Sequence, residues 1–101
     1  MEIKVNITDK VARMAMGGRF DFSAHRNFRE TTEDLLSNAD VGQLELDLSD
    51  VSYVDSSALG MLLMLRDKAR HAQREVRLSH CSAQVRQVLD IANFGKLFRI
   101  D

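Results

Sequence analysis

The sequence predicts a single-domain α/β fold, a mixed central β-sheet with helices packed against it. Stretches in which apolar and polar residues alternate, the period of a half-buried strand, are separated by longer stretches with apolar residues at helical spacing. Their order is strand, strand, helix, strand, helix, strand, helix, strand, and strands joined through helices lie parallel. A chain of 101 residues with 45% hydrophobic content supports one core and is too short for two, so residues 1–101 are read as one domain.

Ile3, Val5 and Ile7 alternate with polar neighbours in the first strand. After the turn "TDK", the segment "VARMAMGGRF" (11–20) can pair back as a second strand, closed by Gly17 and Gly18. In "SAHRNFRETTEDLLSNA" (23–39), Ser23 is the expected helix cap, and Phe28, Thr32, Leu35 and Ala39 fall on one stripe. Leu44, Leu46 and Leu48 alternate with Glu45 and Asp47 in a third strand and are expected to face inward. A second helix runs from Ser56 to about Ala72, followed by a short strand, "EVRL" (75–78). "SAQVRQVLDIA" (82–92) is a third helix with Val85, Val88, Leu89 and Ala92 inward, and Asn93 suits its C-terminal turn. "KLFRI" (96–100) is expected to form an edge strand.

Bulk properties exclude several classes of function. Lys and Arg total 14 against 15 Asp and Glu, a formal net charge of −1, which gives no basis for sequence-independent nucleic-acid binding. The start "MEIKVNITDK" lacks the apolar run of a signal peptide, and no stretch reaches the roughly 18 to 20 apolar residues that span a bilayer. Cys81 is the only cysteine, so neither an intrachain disulfide nor a thiolate metal cluster can form. A soluble cytoplasmic domain without cofactor is the expectation.

The stretch "YVDSSALGMLLML" (53–65) carries the chemical question. On its helix, Ala58, Met61, Leu62, Leu65, Ala69 and Ala72 share one arc of roughly 100°, the core face. Leu59, Leu63 and Met64 fall outside it; neighbouring helices cover them, or they form an apolar partner surface. Ser56 and Ser57 stand where the preceding loop meets the helix, as a cap, a nucleophile or a hydroxyl for modification. A nucleophile elbow needs Gly two residues before and two after the serine, whereas the flanks are Val54 or Asp55 and Ala58 or Leu59. His25, His71 and His80 lie in polar contexts with no carboxylate at triad-like spacing, so catalysis is not expected. A serine hydroxyl at a helix start can cap a backbone N–H, and a phosphate there meets unpaired N–H groups and the positive end of the macrodipole.

These residues resemble a known family. "DLSDVSYVDSSALGMLL" (47–63) is similar to the signature of STAS domains, specifically the stand-alone bacterial anti-sigma factor antagonists, whose strand leads into an Asp-Ser-Ser/Thr-Gly-Leu-Gly loop that opens a helix. "GGRFDFSAHRNFRE" (17–30) resembles the family's Gly-x-Leu-Asp strand end, and "VRQVLDIANFGKLFRI" (85–100) its last helix and strand. The resemblance implies a STAS fold without catalysis of its own, and phosphorylation of the first serine after the aspartate, here Ser56. It implies a partner that is both a GHKL-type serine kinase and an anti-sigma factor, bound by the unmodified antagonist so that a sigma factor or other client is released. A PP2C-type phosphatase would reset this partner switching, a route of signal transduction and transcription regulation. Asp21 and Asp55 match the family's aspartates near the phosphorylated serine, and the expected partner-binding residues are Asp21, Asp55, Ser57, Leu59, Gly60, Leu63 and Met64. Ala58 stands where the family has glycine, a departure expected to spare the loop, because Ala is favoured over Gly within a helical turn by up to about 1 kcal/mol. The alternative function is a STAS accessory subunit of an ABC-type membrane transporter, bound to its ATPase; an independent hydrolase is the least favoured.

Overall fold

The computed structural model describes all residues, 1–101. Its elements are β1 (Glu2–Thr8), β2 (Val11–Phe20), a 3₁₀ turn (Phe22–Ala24), α1 (His25–Leu36), β3 (Gln43–Val54), α2 (Ser56–His71), β4 (Glu75–Ser79), α3 (Ala83–Ile91), a second 3₁₀ turn (Phe94–Lys96) and β5 (Arg99–Ile100). The strands stand in chain order, β1-β2-β3-β4-β5, with β1 and β2 antiparallel and every later pair parallel. Each helix therefore joins adjacent parallel strands. Successive crossovers of one hand in one direction place the helices on the same face of the sheet.

The register explains the core. Met14, Leu46 and Leu78 lie side by side across β2, β3 and β4, as do Ala12, Leu44 and, half-buried, Val76. Met16 and Leu48 extend the same face, and α1, α2 and α3 press Phe28, Leu62, Leu65, Val85 and Leu89 against it in one cluster. Cover thins at the edge strand β1: Ile3 is half-buried, but Val5 and Ile7 are exposed.

The opposite face of the sheet carries the alternate, polar residues. Arg13, Glu45 and Arg77 are register partners across β2, β3 and β4. Glu45 accepts hydrogen bonds from Arg77 and, at 3.0 Å, from the Ser79 hydroxyl, while Arg13 lies 3.4 Å from its second oxygen. Burial pushes the Glu45 carboxyl up, but the bonds from Arg77 and Ser79 and the charges of Arg77 and Arg13 outweigh it and hold the pKa below its ordinary 4.5. A depressed folded pKa contributes stability that is present above the unfolded value and lost as pH falls through the folded one. Below pH 4.5 the melting temperature of the native chain is therefore expected to fall more steeply than that of Glu45→Gln. Parallel pH profiles for the two proteins would remove Glu45 as a source of acid sensitivity.

Several boundaries differ from the sequence-based expectation. Gly17 and Gly18 do not close β2; the ladder to β3 passes through them with register shifts at Ala15/Gly17 and Gly18/Arg19 and continues to Phe20. Gly18 supplies the left-handed backbone (φ +96°) that the irregular stretch requires. Ser23 does not cap α1: Asp21 caps the preceding 3₁₀ turn by accepting from the Ser23 backbone N–H and hydroxyl, and α1 follows from Ala24 without a side-chain cap. Ala39 lies beyond the end of α1 and is exposed. Of "KLFRI" only Arg99 and Ile100 pair with β4, because the chain winds through a 3₁₀ turn that drives Phe98 into the core, 5.5 Å from the Phe94 ring centroid. The Asp9–Lys10 turn is a two-residue hairpin with both residues at positive φ, and Ser82 caps α3 as its position suggests.

Candidate functional site

The site lies where β2 and β3 end together. Arg19 pairs with Tyr53 and Phe20 with Val54, so Asp21 and Asp55 follow at matched positions at the carboxyl ends of parallel strands, the usual location of binding sites in such sheets. The Asp55 backbone N–H donates to the Phe20 carbonyl at 3.3 Å and ties the two turns together. Each aspartate then caps a helical turn: Asp21 Oδ1 accepts from Ser23 N at 3.0 Å, and Asp55 Oδ1 from Ala58 N at 2.9 Å. Hydrogen bonds from the Ser23 hydroxyl and backbone, together with Arg19, hold the Asp21 carboxyl below its ordinary pKa.

Asp55, and not either serine, is thus the cap of α2. Ser56 is the first residue inside the helix; its side chain is exposed and its hydroxyl carries no capping bond. Ser57 is half-buried and Ala58 fully buried. The Ala58 methyl points into the core, so the residue that departs from the family glycine leaves the exposed surface unaltered.

An exposed stripe starts at Ser56. Gly60, Leu63 and Met64 follow it at four, seven and eight residues, one face of a helix, and all of them face solvent. Leu63 is 37% and Met64 53% exposed, and nothing stands within 4 Å of where a Gly60 Cβ would be. Leu59 behaves differently: it is half-buried against the core, so intramolecular packing accounts for most of its surface. Near the ends of β2 and β3 stand three residues that sequence reasoning passed over, Phe22, Arg19 and Tyr53. Phe22 is 67% exposed and stacks on His25, with ring centroids 5.4 Å apart. The Arg19 guanidinium sits 4.1 Å over the exposed Tyr53 ring and 3.5 Å from Asp21. Phe22 alternates with Phe20 as a core residue would, and only the turn at Asp21 sends it outward.

Nothing at the site assembles a nucleophile with a base. His25 is engaged with Phe22, and His71 lies at the far end of α2 with Nδ1 2.8 Å from the Asp67 carbonyl. No group of three or more His, Cys, Asp or Glu side chains gathers as metal ligands, and no helix is long and apolar enough to cross a membrane.

The fold is thus an α/β domain with an open-faced mixed sheet whose strand ends present a capped, serine-bearing helix start. The family model described as "Mlab, STAS domain" matches residues 3–99, and the chain belongs to the STAS domain family. It is 46% identical over 83 residues to a STAS-domain containing protein of Pseudomonas aeruginosa (strain UCBPP-PA14), covering 82% of this chain and 80% of that one. The fold is that of the anti-sigma factor antagonist SpoIIAA in its unphosphorylated form, with TM-score 0.83, 18% identity and coverage of 99% of this chain and 88% of the other. The phosphorylated form of the Bacillus cell fate determinant SpoIIAA matches with TM-score 0.75 at 17% identity, over 99% and 91% of the two chains. The STAS domain of a SulP transporter from Vibrio cholerae also matches, with TM-score 0.75 at 21% identity, over 94% and 75%.

Proposed function

We propose that this protein is a phosphorylation-switched anti-sigma factor antagonist that acts in the cytoplasm by binding a partner and has no catalysis of its own. Unmodified, it binds a GHKL-type serine kinase that doubles as an anti-sigma factor, so that a sigma factor or related client is released. Phosphorylation of Ser56 breaks the complex, and a PP2C-type phosphatase restores it. The observation that carries this reading is the division of labour at the start of α2: Asp55 caps the helix, leaving Ser56 exposed and uncommitted at its first position. A phosphate there adds about −1.5 to −2 charge beside unpaired N–H groups and the positive helix end, which accept it without refolding. With Asp55 and Asp21 close by, the contact surface then becomes strongly negative.

The test is phosphosite mapping after incubation with the cognate kinase and ATP. Phosphate on Ser56 is expected; phosphate on Ser57 moves the switch by one residue, and an unmodified pair ends the proposal. A second reading, a STAS accessory subunit of an ABC-type membrane transporter, draws on the shared fold of the SulP transporter domain. Affinity capture from the native cell separates them, since the first reading requires a kinase and the second a transporter ATPase.

The exposed stripe supplies the apolar part of the proposed contact. Met64→Gln is expected to weaken partner binding while the melting temperature barely moves, because surface changes usually stay within about 0.5 kcal/mol. A large loss of stability with unchanged affinity would assign Met64 to intramolecular packing instead.

A further inference from the structure

At the end of the sheet opposite Ser56, the chain builds a notch of about 340 Å³, within the size range of small-ligand sites. It exists because β5 is only two residues long and pairs with Arg77 and Leu78 of β4, so Glu75 and Val76 pair with β3 on one side and have no strand on the other. The second half of α2 and the turn at Leu97–Phe98 form its other walls. Five arginines line it, Arg66, Arg70, Arg74, Arg77 and Arg99, against one carboxylate, Glu75.

The guanidiniums are not equally engaged. Arg77 is held by Glu45 and lies 3.3 Å from Asp101, which also takes Arg99 at 3.4 Å. Arg66 Nε donates to the Leu97 carbonyl at 2.9 Å, and its Nη1 stands 3.8 Å from Asp67. Arg74 donates through Nη1 to the Ala72 carbonyl at 2.8 Å, while its Nε is buried without a hydrogen-bond partner. No carboxylate lies within 4.0 Å of Arg70 or Arg74, so neither guanidinium is held in an ion pair. The C-terminal pole of α2 supplies only about half a negative charge, too little to balance them. A buried guanidinium N–H without an acceptor is costly, and two planar guanidiniums in one concave site match the oxygens of a phosphate group.

We propose that this notch binds the phosphate or pyrophosphate group of a small molecule, held chiefly by Arg70 and Arg74. The site lies about 20 Å along α2 from Ser56, so it is separate from the serine-bearing surface.

The test is titration of the whole chain with inorganic pyrophosphate and, separately, inorganic phosphate, at constant ionic strength set with chloride, read by amide chemical shifts and calorimetry. Saturable shifts in residues 66–77 and 97–99 are expected, with the anion that binds more tightly defining the group recognised. Arg70→Ala should weaken binding roughly tenfold or more without altering the melting temperature, since Arg70 is exposed. Arg74→Gln should likewise weaken binding, and Arg26→Ala, an exposed arginine on α1 paired with Glu30, should leave affinity unchanged. Absence of saturable binding by either anion, equal affinity in Arg70→Ala, or an equal loss in Arg26→Ala would each overturn the site.

Discussion

Replacing Leu46 with aspartate is expected to unfold the domain. Leu46 sits on the central strand, fully buried, with Met14 and Leu78 as its register neighbours and the helices above it. The groups that hold Glu45, Arg13 and Arg77 by charge and Ser79 by a hydrogen bond, all lie on the other face, so a carboxylate at position 46 would meet no partner. Burying an unpaired charge costs several kcal/mol, against a total stability of about 5–15 kcal/mol for a domain of this kind. Circular dichroism should show loss of the cooperative transition or a fall in melting temperature of tens of degrees, as each kcal/mol shifts it by about 4–8 °C. Ser52→Asp, on the same strand but exposed, provides the control and should melt nearly as the native chain does. An unchanged transition in Leu46→Asp would be incompatible with the register and with the core built on it.

The same contrast shows which features the sequence made legible. Alternation in Leu44, Leu46 and Leu48 identified both the strand and its buried face, because one face meets helices and the other solvent. The arc on α2 was read correctly from Ala58 to Ala69, for helical spacing needs no knowledge of neighbours. The caps were not legible. Asp and Ser are near-equal N-caps, so Asp21 against Ser23 and Asp55 against Ser56 cannot be ranked locally. The ladder between β2 and β3 settles them, since it runs to Phe20 and Val54 and releases the chain one residue later in both strands. The glycines at 17 and 18 read as a strand end, yet the ladder absorbs them as irregularities and Phe20 is anchored in the core beyond them. The arginine notch left no local trace at all. Its residues are spread from Arg66 to Arg99, and only the short pairing of β5 with β4 brings them together.

Where the cap falls alters what substitutions at position 56 should do, and so sharpens the second large effect. A phosphate at Ser56 must be desolvated, or must face any acidic group opposite, when the partner docks. Losing even about 3 kcal/mol weakens a complex roughly 150-fold, enough to turn a submicromolar interaction off. Ser56→Asp should reproduce part of that loss, and Ser56→Ala should retain affinity while resisting phosphorylation. Neither should disturb folding. Because Asp55 makes the capping bond, Ser56→Ala forfeits no cap and should stay within about 0.5 kcal/mol, while an aspartate in the first turn interacts favourably with the helix dipole. Asp55→Ala, in contrast, removes the bond to Ala58 N and should cost about 0.5–2 kcal/mol. The measurement is the dissociation constant of each variant for the captured kinase, alongside its melting temperature. Equal affinity of Ser56→Ala and Ser56→Asp, in proteins as stable as the native chain, would mean that charge at this position does not control the complex.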